Sequence, residues 1–515
     1  MVAVTKIDSN STGLRYAQET SLGVLPGSPV WYPLEPNSYN DFGGDIKTVA
    51  REPINSSRQR QKGVTVDFDA SGGFAQDFVF TEDFLRVFDS FFFAAKRSKG
   101  ETYDWDSVAA TSTYSKANAV PTSYLANDLI FADGFTNALN NGLKVVASVT
   151  GDDAIVVTAV NLVNEAAPPA LSRIVRCGHM FVVSTLDVVA DGTNSYPYLS
   201  RASGALDYTT LGLIPGEWIY IGDDSNSAYS FVNTANNGWA RIHAITASTI
   251  TLDKSTITMV DETGTGLTIR IFFGRVLKNE SDPDLIVRKT LTLERDLGQP
   301  DTSSVDHQFE YLVGSVANQM TLNFKTADKI TVDLSFIATD NVQYEAGDAN
   351  PGETGSRPDL VSADAFNTSS DFSRLRMAIL SDTDSAPSSL FAYLSDFKVT
   401  INNNASPTKA ISVAGAFEVT VGNFTVEGDA EAYFSTVTAI QAVRNNEDIT
   451  LDFALAKANK ALVVDMPLIA LGGGKPKVEK DQPIKLPLTT PAAADRVFNH
   501  TLLLSIFDYV PDVAF

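Results

Sequence analysis

The sequence predicts a mainly β protein with two tandem β-sandwich or barrel domains, each with a short helix, and an inserted small all-β region. Alternating apolar runs rich in Val, Ile, Thr and Phe recur along the chain. Two stretches that flank the centre repeat one another, and the centre carries a repeat of its own. The length of 515 residues exceeds what one hydrophobic core accommodates, which favours several domains.

Short segments of alternating polarity predict strands in both halves of the chain. They are Thr65–Phe68, Ala75–Phe80, Met320–Phe324, Ile330–Ile337, Asp396–Ile401, Ala416–Val421 and Phe424–Tyr433. Clusters of glycine and asparagine favour turns. We expect such turns at Gly72-Gly73, at Asn402–Asn404 and at Asn445-Asn446.

One strongly amphipathic segment predicts a helix after Thr81. Thr81 suits the N-cap position, and Glu82 and Asp83 favour the positive end of the helix dipole. Five side chains at helical spacing then form one apolar face: Phe84, Leu85, Phe88, Phe91 and Phe92. A weaker helical pattern covers Thr436–Val443.

Changes in composition predict the domain boundaries. The Gly- and Pro-rich stretch Glu345–Pro358 is typical of a linker. Polar stretches at Glu101–Asn118 and Lys278–Asp284 enclose a segment of different character, which indicates an insertion. We expect a first domain split between residues 1–100 and 281–345, inserted β modules at 101–280, a linker at 346–358 and a second domain at 359–515.

The insertion contains a repeat based on the motif Asn-Asn-Gly. Asn140–Gly142 and Asn236–Gly238 are each followed by a strand pattern, a short turn and a second strand pattern. Asn and Gly accept the positive φ angles of tight turns. We favour two related small β modules over a chance likeness between β-rich segments.

The parts on either side of the insertion also resemble each other. The first copy has a strand, the pair Gly72-Gly73, an alternating strand and the capped helix, and the second copy has Gly428 in place of the glycine pair. Phe309–Leu312 and Phe391–Leu394 open similar strand-turn-strand regions. We interpret these parts as two copies of one sandwich-plus-helix domain.

The composition is acidic, with 62 acidic and 39 basic residues and a formal net charge of −23. Tight nucleic-acid binders usually have the opposite sign, because their affinity comes from neutralising phosphates. The acidity fits either plain solubility or a surface that DNA passes without sticking. No apolar stretch predicts a transmembrane helix, and Met1–Leu14 lacks the features of a secretory signal, so we expect assembly in the cytoplasm.

Few residues have the spacing of a chemical site. Cys177 is the only cysteine, and with His179 it lacks the further ligands of a zinc site, so we expect a packed cysteine beside a surface histidine. Gly472–Lys475 is similar to a phosphate loop, but Pro476 stands where such loops have Ser or Thr. We therefore expect no catalytic residue, cofactor or metal. Three acidic pairs fit solvated turns better than calcium loops: Asp223-Asp224, Asp282/Asp284 and Asp382/Asp384.

An ordered set of segments carries a family resemblance. Leu14–Gly27 contains an Arg-Tyr, a Glu-Thr and a Gly ahead of a Pro-rich strand, and Arg51–Arg60 is an Arg-rich loop. The further segments are Lys289–Asp296, Phe309–Ile337, Asp396–Asn404, Gly422–Phe434 and Pro467–Leu471. In this order they resemble the major tail tube proteins of long-tailed bacteriophages (siphophages), and the resemblance leaves residues 101–280 outside it.

The resemblance implies a structural protein of the virion and not an enzyme. Two tail-tube-type domains per chain imply that three chains form a pseudo-six-fold ring, with a ring of six chains as the alternative. Stacked rings would conduct DNA during ejection without binding it specifically, and the insertion would face outward. The implied partners are other copies of the chain, the tail terminator, the tape measure protein and the baseplate or distal tail proteins.

Basic residues are concentrated in one loop of this acidic chain, Ile46–Gly63. We expect Arg51, Arg58, Arg60 and Lys62 to pair with carboxylates of the next ring. A solvated loop is the alternative, since exposed ion pairs contribute little.

Two other functions stay open. Small β modules often bind surfaces, so a receptor- or carbohydrate-binding virion protein would have an exposed aromatic groove around Trp218 and Trp239. Packing of both tryptophans in a module core is the alternative to that groove. A β-rich hydrolase is the third possible function.

Overall fold

The computed structural model describes residues 6–511, apart from residues 53, 55, 57, 58, 60, 159–160, 183–185, 191–195, 202–205, 301–305, 347–349, 381–386, 388 and 392. Strands make up 49% of the protein and helical segments 8%, so the predicted mainly β class is confirmed. In the part that the structure describes, no helix is long and apolar enough to cross a membrane.

The elements fall into three stretches of the chain. The first comprises β1 (Gly13–Gln18), β2 (Tyr32–Leu34), β3 (Pro36–Arg51), β4 (Gln61–Asp77) and α1 (Glu82–Phe92). The second comprises β5 (Glu101–Tyr103), β6 (Ser107–Ala109), β7 (Thr113–Ser115), β8 (Asp128–Asp133), β9 (Gly142–Thr150), β10 (Ala154–Val157), β11 (Arg173–Phe181), β12 (Asp187–Val189), β13 (Tyr198–Ser200), β14 (Trp218–Ile221), β15 (Gly238–Ile245), β16 (Thr249–Leu252), β17 (Ile269–Phe273) and β18 (Arg275–Lys278). The third comprises β19 (Thr290–Gly298), β20 (Gln308–Lys325), β21 (Thr331–Ala338), β22 (Asp340–Glu345), β23 (Phe372–Ile379), β24 (Leu394–Asn402), β25 (Ser406–Thr408), β26 (Glu418–Thr420), β27 (Thr425–Tyr433), α2 (Thr438–Asn445), β28 (Ile449–Lys457), β29 (Lys460–Ile469), β30 (Gly472–Gly473), β31 (Lys485–Thr489), β32 (Ala492–Ala493) and β33 (Leu503–Phe507).

Three antiparallel sheets stack as layers. The first sheet contains β1–β4, β19–β22, β24, β27, β30 and β31, the second contains β18, β23, β28, β29, β32 and β33, and the third contains β5–β17. The main core lies between the first and second sheets and takes residues from both halves of the chain. A smaller core joins the back of the second sheet to the third sheet. The second sheet is therefore covered on both faces.

Helix α1 begins and ends where the sequence predicts. The backbone N–H of Phe84 donates to Thr81 Oγ1 at 3.4 Å, and Phe93 ends the helix with a φ of 48°. The predicted apolar face is buried in the main core, where each large side chain contributes about 1.5–3 kcal/mol by leaving water. The weaker helix is also confirmed, two residues later than predicted, as α2.

The predicted turn at Gly72-Gly73 is wrong, because both glycines lie inside the long strand β4. They pair with Phe336 and Ser335 of β21. A Cβ atom on Gly73 would lie 2.4 Å from the carbonyl oxygen of Leu334, so the glycine permits close approach of two strands. The pair therefore serves packing and not chain reversal.

The third sheet has the same strand order twice. The orders β6-β7-β10-β9-β8-β11 and β12-β13-β16-β15-β14-β17 correspond strand by strand, and β11 pairs with β17. In each copy the first Asn of the Asn-Asn-Gly motif is buried and donates to a glutamate: Asn140 Nδ2 to Glu165 Oε2 at 2.9 Å, and Asn236 Nδ2 to Glu262 Oε2 at 2.7 Å. The same contacts therefore fold both halves of this sheet.

Two segments near the expected domain boundaries make contacts across them. Strand β18 falls within the expected insertion but pairs with β33 of the second sheet. Within the expected linker, Pro351–Glu353 forms a short 3-10 helix, and the backbone N–H of Trp31 donates to Ser356 O at 2.9 Å. The division of the chain into domains stays a prediction.

Candidate assembly surface

The most unusual part of the first sheet is a row of eight strands, β3-β4-β21-β20-β24-β27-β31-β30. Strand β20 is long enough to pair with two different sets of strands. Its first half pairs with β19 and β22, and its second half pairs with β21 and β24. The β20–β24 contact runs from Gln319 opposite Asn402 to Lys325 opposite Asp396. One continuous sheet therefore joins elements from both halves of the chain.

The row consists of two blocks of four strands with matching positions. We call β3-β4-β21-β20 the first block and β24-β27-β31-β30 the second block. The second strand of each block leads into a helix, β4 into α1 and β27 into α2. Within the described residues, both end strands, β3 and β30, pair with a strand on one side only. The β20–β24 contact inside the chain is thus a join between two equivalent blocks.

The two faces of this row differ in chemistry. Alternate side chains such as Leu322, Val399 and Val426 are buried in the main core. The other face is polar, and we call it the free face. The charged residues of its strands are six carboxylates and three lysines: Asp77, Asp333, Asp396, Glu427, Asp429, Glu431, Lys325, Lys398 and Lys485. Two further lysines beside the strands, Lys329 and Lys477, pair with Asp77 and Glu431. The free face is therefore hydrophilic, with a small acidic excess.

The distal part of the β3–β4 hairpin, residues 44–51 and 61–69, extends beyond the sheet, and we call it the arm. Strand β4 contacts β21 only from Ala70 onward. Ile46 and Val49 of the arm are 64% and 57% exposed, and Val64 and Val66 are similarly exposed. At the base of the arm, Lys409 forms ion pairs with Asp67 and Asp69, which lower the pKa of both carboxyls.

The structure places two of the four predicted contact residues on the arm. Arg51 ends β3 and Lys62 lies in β4, and both are exposed near the distal end. Arg58 and Arg60 lie outside the described residues. Their pairing with carboxylates of another ring stays a prediction.

A buried ion cluster fixes the third sheet to the rest of the molecule. Asp508, just after β33, accepts from Arg275 Nε and Nη2 at 2.8 Å each, and from Arg173 Nη2 at 2.5 Å. Arg275 Nη1 also lies 2.8 Å from Glu82 Oε2 at the start of α1. Burial alone would raise the pKa of the Asp508 carboxyl. The two guanidiniums have the larger combined effect, so the pKa is lowered. Four distant segments thus meet in one charged contact.

A second buried cluster lies where β15 crosses the second sheet. Arg241 donates to Asp465 Oδ1 at 2.8 Å and, through Nη2, to Asp253 Oδ2 at 2.7 Å. Burial and the neighbouring Asp452 raise the pKa of Asp465 to about 7. Arg241 lowers the pKa of Asp465, but its effect is smaller than that of burial.

Trp218 and Trp239 do not form the exposed aromatic groove that a surface-binding function would need. The two side chains are 0% and 7% exposed and belong to the core between the second and third sheets. The Trp239 Nε1–H donates to Ser373 Oγ of β23 at 3.2 Å. The favoured expectation, that both tryptophans pack in a core, is therefore confirmed.

Other sequence candidates have structural roles. Cys177 is buried, as expected, and burial raises the pKa of its thiol. The expected surface position of His179 is wrong, because its ring is buried and its Nδ1 lies 2.8 Å from Asp128 Oδ1. Among the described residues, no group of three or more His, Cys, Asp or Glu could hold a metal.

The glycine-rich and acidic motifs also belong to the fold. Gly472 and Gly473 form the edge strand β30. The expected solvated position of Asp223 is wrong, because its side chain is buried and pairs with Arg270 at 2.7 Å. Asp282 caps a short 3-10 helix by accepting from Asp284 N, and the pair Asp382/Asp384 lies outside the described residues.

Sequence reasoning missed the Asp508 cluster. Its one signal was a charged residue inside the apolar run Leu502–Val510. Such a residue is buried only with partners. The partners Arg173 and Arg275 are hundreds of residues away along the chain, and no periodicity reveals them.

Comparison with known families gives one match. A family model described as "Phage tail tube protein" matches residues 9–492. The match runs through both blocks of the first sheet and through the third sheet. A search of curated proteins found no match.

Proposed function

The chain belongs to the phage tail tube protein family, and from this premise we propose that three copies form a ring that stacks into the DNA conduit of a phage tail. Membership makes the protein a structural component of the virion that assembles into a tube. The number of chains per ring, the contacts and the passage of DNA are the proposal.

The eight-stranded row is the observation that carries it. Its two blocks already pair through β20 and β24 as neighbouring subunits of a ring would. Unpaired edges favour association with another chain, because their N–H and C=O groups lack partners. A head-to-tail contact that repeats and closes leaves no free edge. Three chains with two blocks each give pseudo-six-fold symmetry.

The same equivalence predicts which edges meet. The first block begins with β3 and ends with β20. The second block begins with β24 and ends with β30, so β24 corresponds to β3 and β30 corresponds to β20. In the chain, β20 pairs with β24. We therefore infer that β30 of one chain pairs with β3 of the next.

The free face of the row would line the bore. The other side of the row carries the main core, the second sheet and the third sheet, which are too bulky to face a channel. Six carboxylates against five lysines, with Lys329 and Lys477 included, leave the free face without a cationic excess to which phosphates would adhere. The third sheet would then form the outer surface, three copies per ring.

The arm would connect rings along the tube. Arg51 and Lys62 are exposed on it, and we propose that they, with Arg58 and Arg60, pair with carboxylates of the adjacent ring. Charge reversal at Arg58 and Arg60 should shorten tubes; tubes of unchanged length would refute these contacts. At the tube ends, the tail terminator, tape measure and baseplate or distal tail proteins would be the partners.

Native mass spectrometry with negative-stain electron microscopy tests the ring. Three chains of 55.4 kDa give a particle of about 166 kDa with an open centre. Averaged end views should show six features around the bore and three at the rim. A particle of six chains would instead support the alternative, a ring of six chains. A protein that stays monomeric at high concentration would refute the proposal.

A further inference from the structure

We propose that an apolar cleft beside Tyr393 receives the arm of a second copy in the neighbouring ring. This inference rests on the proposed ring assembly and names the surface that holds one ring on the next. It identifies the occupant as the exposed Ile and Val side chains of the arm.

The arm and the cleft lie at opposite ends of the same strands. Strand β21 runs from Thr331, opposite Asp77, to Ala338, opposite Ala70, and the arm continues beyond that second end. The cleft adjoins the turn between β20 and β21 at the first end. In a stack of rings with one polarity, the arm end of each ring faces the cleft end of the next.

The cleft is an apolar depression of about 340 Å³. Its aromatic and aliphatic lining includes Phe324, Phe372, Leu375, Tyr393 and Phe397. Tyr393 is 75% exposed and Leu375 is 40% exposed at its mouth, although both are large apolar side chains. Exposed apolar groups gathered in one concave place are typical of a contact site.

The arm offers the complementary chemistry. Ile46, Val49, Val64 and Val66 leave large apolar areas in water on a two-stranded ribbon, a structure that is marginal without support. At ~3.3 Å per residue its nine-residue extension reaches about 30 Å beyond the sheet. That reach suffices to cross the boundary between rings.

Charge favours the same pairing. The arm presents Arg51 and Lys62, while Asp328, Asp364 and Asp396 are exposed around the end of the molecule that holds the cleft. Lys325 is exposed there too, and Lys329 is paired with Asp77 at 2.8 Å. The distal end of the arm, where Arg51 and Lys62 outnumber Glu52, therefore meets an end with an acidic excess, which orients the contact.

Substitution at the cleft mouth separates stacking from ring formation. Tyr393→Asp should leave rings intact but abolish tubes, because a carboxylate would enter an apolar contact. Val232→Asp is the matched control, since Val232 is 77% exposed on the third sheet, away from the cleft. Negative-stain microscopy then counts rings and tubes. Wild-type-length tubes in Tyr393→Asp would overturn the inference, whereas a wild-type protein without rings would instead overturn the proposed function.

Crosslinking identifies the occupant. The variant Val49→Cys/Tyr393→Cys, assembled into tubes and treated with a short bis-maleimide, should give a ladder far beyond three chains on a denaturing gel. Each single variant is a control, because the native Cys177 is buried. A ladder that stops at three chains would place the contact within a ring and overturn the inference. The absence of any ladder from intact tubes would overturn it as well.

Discussion

The third sheet and the eight-stranded row differ in how far their polar groups are paired and their apolar groups are buried. The third sheet meets the rest of the chain through buried charges such as Arg173 and Asp508, and through the buried Trp218 and Trp239. The row has end strands paired on one side, a polar free face and an arm with exposed Val and Ile. One region is thus completed within the chain, and the other has edges and apolar groups that we propose are covered by further copies of the chain.

This difference predicts whether a substitution changes the stability of the fold or the association of chains. A buried ion pair that loses one partner leaves an uncompensated charge in a low dielectric. An exposed edge or exposed pair carries little of the folding free energy and still decides association. We therefore expect effects on unfolding for the third-sheet contacts and effects on assembly for the row.

The largest effect should come from the edge strand β30. Gly473 has a φ of +84°, and a Cβ there would lie 2.8 Å from Pro487 O. Gly473→Val should displace β30 from β31 and eliminate trimers in native mass spectra, with little change in melting temperature. Gly151→Val is the control, because Gly151 also has a positive φ but borders open space in another turn. Trimers at wild-type abundance would exclude β30 from the interface.

A large loss of stability should follow removal of the Asp508 charge. Asp508→Asn leaves Arg173 and Arg275 without their shared carboxylate, which costs about 3–5 kcal/mol. Thermal unfolding should move to a distinctly lower temperature. Asp429→Asn, an exposed carboxylate on the free face, should leave unfolding nearly unchanged. Equal stability of both variants would remove the distinction between the two regions.

A smaller, pH-dependent effect should arise at Asp465. Its folded-state pKa of about 7 lies above the usual 3.8, so the stability contributed by the protonated carboxyl is lost as pH rises through 7. Asp465→Asn should therefore be more stable than wild type at pH 8, by on the order of 2 kcal/mol, with less difference at pH 5.

Asp253 provides the opposite control for that measurement. Burial alone would raise the pKa of Asp253. Arg241 and the hydrogen bonds from Ser255 have the larger combined effect, so the pKa is lowered. The stability that Asp253 contributes is fully present above the ordinary pKa of 3.8 and is lost only as pH falls below that value, so Asp253→Asn should be equally destabilising at pH 5 and at pH 8. Parallel urea titrations at pH 5 and pH 8 compare the two variants. The same pH trend in both would contradict their assigned charge states.

The smallest effect should come from Lys398 and Asp429 on the free face. Their side chains lie 2.7 Å apart and are about half exposed. A double-mutant cycle with Lys398→Gln and Asp429→Asn should give a coupling below about 1 kcal/mol that salt screens. A much larger coupling in assembled rings than in the monomer would show that the ring buries this pair.

Local chemistry explains which sequence predictions succeeded. Thr81 acts on a neighbour three residues away, so its role follows from composition and spacing. Asn140 and Asn236 bond to glutamates 25 and 26 positions away, and it is the repetition of their motif that the sequence reveals. A glycine pair such as Gly72-Gly73 is typical of a turn. Here a glycine is needed at position 73 because the carbonyl oxygen of Leu334 leaves no room for a Cβ atom, and the sequence does not reveal that contact. His179 was placed on the surface, because its partner Asp128 is 51 positions away.

The sequence by itself determined the β class, the capped helix α1 and the duplicated Asn-Asn-Gly strand pairs, because periodicity and capping operate over short distances. Only the tertiary structure decided that β20 joins two blocks in one sheet, and that Asp508 holds the third sheet in place. Strand pairing and buried ion pairs bring together groups that are remote along the chain, so their free energy depends on a register that no local pattern contains.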